Sequence, residues 1–333
     1  MHRLSVFWQH HKKVLVYIVA LFIVTRIIIS LIGITTFTYL YKPNQMAPWR
    51  REIATEHPKL VLWTIWDSDR YMKVAEHGYI VTKPFRSDVQ QNIGFFPLYP
   101  MVIAPLGKLL GDYAIAGMII SNICFLAASF MLYLLAKLDL DEAGAKRVLL
   151  YLFVFPTAYI FSAVYSESLL LLLVLTCLYA ARKEHWLLAG ILGYFAALTK
   201  PIGFLVMIPV VLIYLSNRNY DWRKIRSNSV FIFLIPLGLL SFALYNYHLT
   251  GDLLAYAHVQ QVAWHHSFSN PLILLWKSLW TSINARINSI GMMVALVIFI
   301  LGFRKISFAY WAYGLSLVLF PLFTGNVFGS MRY

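Results

Sequence analysis

The chain has 333 residues, of which 60% are hydrophobic and only 13% charged, and its mean hydropathy is +0.68. A soluble domain carries roughly a quarter charged residues, so a water-soluble globular fold is excluded and a polytopic membrane protein is expected. The net charge of +14 lies along short connections, with no basic run interleaved with aromatics; it reads as topology signal and anionic-lipid contact, and nucleic acid is excluded as a partner.

Residues 14–37 form the first uninterrupted apolar run, long enough to cross a hydrocarbon core of about 30 Å as a helix. The run is too long for the core of a cleavable signal, and no small-residue cleavage site follows it. Arg26 stands in its middle and is expected to face the protein interior, paired with an acidic group or with backbone carbonyls. Continuing along the chain, the pattern predicts an all-α polytopic protein with about nine transmembrane helices. They fall at 14–36, 113–136, 147–165, 167–181, 186–199, 201–216, 230–249, 288–303 and 306–324. Residues 1–333 read as one membrane-embedded domain. Residues 93–110 are apolar but hold Pro97, Pro100 and Pro105, which predicts a re-entrant or interfacial segment rather than a span. Cys124 and Cys177 lie in separate apolar runs, so neither a disulfide nor a metal site is expected of them.

Basic residues orient the chain. Arg3, Lys12 and Lys13 precede the first span. Connections of matching parity hold Lys137, Lys146 and Arg147, then Arg182 and Lys183, then Arg218, Arg223, Lys224 and Arg226, then Arg304 and Lys305. The opposite hairpins hold almost none. This predicts a cytoplasmic N-terminus in a multi-pass cell-membrane protein. The long loop 37–112, the turn Tyr165-Ser166-Glu167-Ser168, the turn Thr199-Lys200-Pro201, the loop 250–286 and the tail 325–333 then share the exoplasmic face. Loops gathered on one face are where a site is built.

Within the first loop, 58–77 reads as an amphipathic interfacial helix, with Leu60, Leu62, Trp63, Trp66 and Tyr71 suited to the headgroup zone. Only 14 Asp and Glu occur in the chain, and two of them, Asp67 and Asp69, stand here beside tryptophan and tyrosine. On a helix these two point about 200° apart. Asp67 shares a stripe with Trp63, Arg70, Tyr71 and Val74, whereas Asp69 stands i, i+4 from Lys73, the pattern of a solvated ion pair. Asp67 is therefore the better candidate for chemistry, with helix capping and surface charge as the plainer alternative. Asp-Ser-Asp also matches a short acidic pattern that holds a divalent metal on nucleotide-sugars. Such donors are absent from the exoplasmic face, and no metal or cofactor is expected. Glu167 at its hairpin apex is either paired, functional or a solvated tip. Lys200 suits a phosphate or an ordinary headgroup. His258, His265 and His266 match no helical zinc spacing.

With no nucleotide-binding loop and no cytoplasmic catalytic domain, an exoplasmic enzyme would take its activated group from a lipid. A sugar on a polyprenyl phosphate fits, because the leaving phosphate is already ionised. The demand is then a base for the acceptor hydroxyl and a cation for the phosphate, such as Lys200, Arg70 or Arg332.

The order Trp66-Asp67-x-x-x-Tyr71, Val74-Ala75-Glu76-His77-Gly78-Tyr79 and Phe95-Phe96-Pro97-Leu98-Tyr99-Pro100, followed by Phe155-Pro156-Thr157-Ala158 running to Tyr165-Ser166-Glu167-Ser168, resembles the PIG-V (GPI mannosyltransferase II) family and its bacterial relatives. The resemblance covers most of the chain. It implies an inverting, mannosyltransferase-like enzyme of GT-C architecture that uses a polyprenyl-phosphate sugar, with an aspartate of the first exoplasmic loop as base. By match that residue is Asp67. Trp66, Asp69, Arg70, Tyr71, Glu167, Lys200 and Arg332 are the expected substrate-binding residues. The expected partners are the polyprenyl-phosphate-linked donor, a lipid or glycan acceptor and the bilayer. Two departures stand out: Asp69 is not a fixed residue of the family, and the sequence stops at Tyr333 where a further span is expected, as in a chain shortened at its C-terminus. A lipid-linked-glycan flippase and a non-catalytic subunit of a glycosylation complex are the alternatives. A flippase calls for polar residues through the full membrane depth, where this chain places only Arg26.

Overall fold

A computed structural model describes residues 2–40, 60–81 and 92–325. Among the described residues all regular structure is helical, with no strand. Two compact units are formed, Met1–Gly78 with Tyr99–Tyr179, and Tyr79–Leu98 with Ala180–Tyr333. Among the described residues four helices are long and apolar enough to cross a membrane: His11–Thr36, Tyr113–Ala136, Ser227–Thr250 and Ile283–Gly302. Leu98–Leu110, Trp186–Thr199, Pro201–Ser216 and Phe308–Phe323 are apolar but shorter. At about 1.5 Å per residue, a helix of some sixteen residues reaches about 24 Å, less than the hydrocarbon thickness.

The first unit begins with α1 (His2–Leu40). Val14, Ile18, Thr25 and Arg26 are buried, while Val16, Val19, Ile23, Val24, Ile27, Ile28, Leu31 and Ile32 are exposed. An apolar face with no protein against it suits hydrocarbon as its solvent. Val14 and Ile18 pack with Phe125, Tyr133, Ala145, Leu149 and Phe153. Arg26 finds its partner on the backbone: Nη2 donates to the Ala158 carbonyl at 3.1 Å, and the guanidinium lies over the Phe22 and Phe125 rings at 5.4 and 4.9 Å. Next come α2 (Ser68–His77), α3 (Leu98–Leu110), α4 (Tyr113–Ala136), α5 (Glu142–Val154) and α6 (Glu167–Arg182). Asp112 caps α4 by accepting from the Ala114 and Ile115 amides.

Two expected elements are corrected. Residues 147–165 are not one helix. Asp141 caps α5 through the Gly144 amide, so the helix starts earlier, at Glu142. It ends at Val154 because Phe155 is extended, at φ −61° and ψ 135°; the ring of Pro156 disfavours helical backbone in the residue before it. A 3₁₀ turn, Ala158–Ser162, follows. Nor is 58–77 one helix: only Ser68–His77 is helical among its described residues. Val61, Trp63, Ile65 and Tyr71 are buried in protein instead of facing headgroups.

In the second unit α7 (Trp186–Thr199) runs alongside the stretch formed by the 3₁₀ turn Ser227–Phe233 and α9 (Leu234–Thr250), with α8 (Met207–Ser216) between them in sequence. Small residues bring the two backbones together. A Cβ on Gly190 would lie 2.1 Å from the Phe231 carbonyl oxygen, one on Gly193 2.5 Å from Ile235, and one on Gly238 2.3 Å from the Tyr194 carbonyl oxygen. These pairs advance in the same sense along both segments, so the two run parallel. The loop expected over 250–286 holds two further helices, α10 (Ala255–Trp264) and α11 (Pro271–Ser278). Phe96 packs on Phe242 and Tyr256, and Phe95 on Trp264.

Candidate functional site

The first unit builds its polar centre around a break in the chain at Trp66. Residues 60–64 form turns, with the Trp63 and Thr64 amides both donating to the Leu60 carbonyl at 2.8 and 3.1 Å. Trp66 then takes a left-handed backbone, φ 47°, and α2 starts at Ser68 with Asp67 as its N-cap. This conformation costs a non-glycine residue about 1–2 kcal/mol, so something must impose it. The Ser68 amide closes the turn on the Ile65 carbonyl at 3.2 Å, and Tyr165 braces it. This tyrosine is 1% exposed, and its hydroxyl donates to the Ile65 carbonyl at 2.9 Å while accepting from the Asp67 amide at 3.2 Å. One phenol thus bridges the chain on both sides of Trp66. The Val164 amide adds a bond to the Trp63 carbonyl at 2.9 Å.

This clamp decides where the Asp67 carboxylate can go. Aspartate at an N-cap ordinarily accepts from the amides of the first helical turn, with its own backbone extended. Asp67 has helical backbone, φ −72° and ψ −11°, and its side chain makes no cap bond. Asp67 is half-buried. Trp66, beside it, is 48% exposed.

Beneath Asp67 lies a layer of buried hydroxyls. Tyr71 Oη and Ser166 Oγ are 2.9 Å apart, and the Tyr71 ring meets those of Tyr99 and Tyr165 edge-on at 5.2 and 6.4 Å. Tyr99 Oη lies 3.1 Å from the Gly117 carbonyl and 2.8 Å from Ser121 Oγ, which reaches the Tyr165 carbonyl at 3.3 Å. Gly117 permits the approach, since a Cβ there would sit 2.4 Å from Val164. Burial pushes the Tyr99 phenol well above its ordinary range, and the charge of nearby Glu167 adds to the effect. Tyr99 is therefore a neutral hydroxyl at any physiological pH.

Glu167 is 5% exposed and opens α6, where the helix N-terminus favours negative charge. It is not the solvated hairpin tip that one reading allowed. The segment carrying it lies against 65–71 through Tyr165 and Ser166, so the structure brings Glu167 and Asp67 into one region of one unit. Asp69 pairs with Lys73 at 3.0 Å and has Arg70 Nε at 3.8 Å. Asp67 does not share the helical stripe expected for it, because it stands outside the helix. Lys200 follows α7 and begins the 3₁₀ turn Pro201–Val206 in the second unit. Arg332 lies outside the described residues.

His258 Nδ1 is 2.6 Å from Asp252 Oδ2, and burial holds the His266 imidazole below its ordinary value. Among the described residues no three His, Cys, Asp or Glu gather to hold a metal ion.

Tyr165 and Tyr99 stand in the sequence motifs without a role of their own, and Ser121 carries no sequence signal. Tyrosines beside apolar runs look like belt residues, and their partners are distant in sequence. Comparison with protein families, curated proteins and solved structures gives no match to this chain.

Proposed function

We propose that this chain is a membrane glycosyltransferase of GT-C type, mannosyltransferase-like and inverting. In this reading it moves a sugar from a polyprenyl-phosphate donor to a lipid or glycan acceptor. Asp67 takes the proton of the acceptor hydroxyl as that oxygen bonds to the anomeric carbon. The carbon–oxygen bond to phosphate breaks, and the polyprenyl phosphate leaves with the electron pair. Arg70, half-buried three residues on, supplies positive charge for the departing phosphate. The observation that carries the reading is the placement of Asp67: a carboxylate released from capping duty, half-buried beside an exposed Trp66, on backbone locked by Tyr165. A base has to be held rigidly and still reach substrate. The sequence resemblance to the PIG-V family adds the class of donor.

The direct test is transfer by the purified full chain from a radiolabelled polyprenyl-phosphate hexose to lipid extracts of its host. Labelled product is expected. Its absence across mannose and glucose donors would leave the flippase and subunit readings in place.

We also propose about nine spans with a cytoplasmic N-terminus and an exoplasmic loop 37–112. Ser87→Cys, outside the described residues, should react with a membrane-impermeant maleimide in intact cells, while Ser227→Cys, exposed at the start of a candidate span, should not. Cys124 and Cys177 are both buried and give a low background. The reverse labelling pattern would overturn this orientation and, with it, the lipid-borne donor.

A further inference from the structure

The connection between α8 and the next candidate span is built more firmly than a tether needs. Arg218 is 8% exposed although it is charged and in a short connection. Its guanidinium stacks 3.6 Å from the Tyr214 ring centroid, with Trp186 on a further side at 5.6 Å. Nη1 donates to the Tyr214 carbonyl at 3.0 Å and Nε to the Lys224 carbonyl at 3.2 Å. Tyr214, itself buried, places its hydroxyl 3.0 Å from the Arg226 amide, 3.2 Å from the Arg226 carbonyl and 3.0 Å from Asn228 Oδ1. This buried pair therefore fixes the backbone at 224 and 226 and holds the Asn228 side chain.

Between these anchors the chain reverses through two successive left-handed residues, Asn219 at φ 54° and Tyr220 at φ 57°. The Tyr220 amide returns to the Leu215 carbonyl at 2.9 Å. Two adjacent non-glycine residues in this conformation persist only where the surroundings impose it, and such strain gathers at functional surfaces. What the reversal presents is specific. Tyr220, Trp222 and Ile225 are 58%, 73% and 48% exposed, interleaved with the exposed cations Arg223, Lys224 and Arg226. The loop's one carboxylate, Asp221, already accepts from the Arg223 amide and lies 3.7 Å from Lys224.

We propose that residues 217–228 form a preformed binding surface for anionic lipid headgroups. The location selects that occupant. Candidate span Ser227–Thr250 starts where the loop ends, so Trp222 and its neighbours stand at the boundary between hydrocarbon and water. Tryptophan and tyrosine settle at headgroup depth, and clustered Lys and Arg beside a span attract phosphodiesters. A soluble acidic peptide would use the cations but has no need of Trp222 and Ile225 beside a membrane span. This surface does not depend on the proposed transferase activity.

The test uses the full chain in a non-ionic detergent, titrated with phosphatidylglycerol, phosphatidylcholine or inorganic phosphate. Lipid binding is followed by native mass spectrometry and by quenching of tryptophan with brominated acyl chains. For the Arg223→Gln/Lys224→Gln/Arg226→Gln variant, phosphatidylglycerol binding at this surface should weaken on the order of 100-fold. Its unfolding temperature without lipid should be unchanged, because all three side chains are exposed. Brominated phosphatidylglycerol should quench the wild type more than Trp222→Phe, which keeps the fold and loses only the reporter. Equal phosphatidylglycerol binding by wild type and triple variant would overturn the proposal. So would an equal response to phosphatidylcholine, quenching indifferent to Trp222, or saturation by inorganic phosphate at the same concentration as the lipid.

Discussion

Asp67→Asn is expected to lower sugar transfer by about 10²–10⁴-fold, the range a positioned carboxylate supplies by accepting a hydroxyl proton. The local geometry says which bonds the substitution keeps. Asp67 is held through its amide, which donates to Tyr165 at 3.2 Å, and its side chain takes no part in capping α2. Asparagine preserves the amide bond and the side-chain size, so the helix start and the bend at Trp66 should survive, and the lost turnover would be chemical. Asp69→Asn is the control. Asp69 is committed to Lys73 at 3.0 Å, and breaking such an i, i+4 pair on a helix costs only about 0.3–0.5 kcal/mol. Its effect on transfer should therefore be small. The comparison is initial rate of transfer from a polyprenyl-phosphate sugar, with unfolding temperature as a check on folding. Near wild-type turnover in Asp67→Asn would end its assignment as base, and a larger loss at Asp69 would move that role two residues along.

The apolar runs were legible because hydrocarbon imposes one requirement, a long stretch with almost no charge, and residues 113–136, and 14–36 with Arg26 as its one charge, meet it by composition alone. The break at Phe155 was also written locally, in Pro156, although hydropathy alone ran the helix through it. The bend at Trp66 was not written locally. An apolar period over 58–77 argues for helix, and nothing near Trp66 in sequence opposes it. The left-handed turn is braced by Tyr165, 98 and 100 residues away from the two groups it binds. Glu167 was legible as an unusual carboxylate but not as a buried one. Its burial follows from the close approach of 164–166 to α4 at Gly117, which no periodicity records. Arg218 was counted only as a topology charge, although its ring stacking and two carbonyl bonds make it the foundation of the loop after α8.

Tyr165→Phe should test the clamp itself. The ring stays and only the hydroxyl leaves, so the edge-on contact with Tyr71 at 6.4 Å is preserved. The Asp67 amide loses the Tyr165 hydroxyl while the Ile65 carbonyl keeps the Ser68 amide at 3.2 Å, and leaving a buried backbone group unsatisfied costs roughly 1–3 kcal/mol. Without its bridge Trp66 is free to relax from φ 47°, and the carboxylate beside it shifts with the backbone. A displacement of about 1 Å is enough to cost on the order of 10²-fold in rate. The loss should fall on kcat with little change in KM, because Tyr165 is buried and touches the backbone of the base, not substrate. Hydrogen exchange gives a readout separate from activity: the Asp67 amide should exchange faster in Tyr165→Phe and unchanged in Tyr71→Phe. Tyr71→Phe removes the bond to Ser166 but leaves the clamp, so transfer should fall less. Should the Asp67 amide stay protected and kcat hold in Tyr165→Phe, the bend at Trp66 would have to be self-supporting, and Tyr165 would be no more than a core residue.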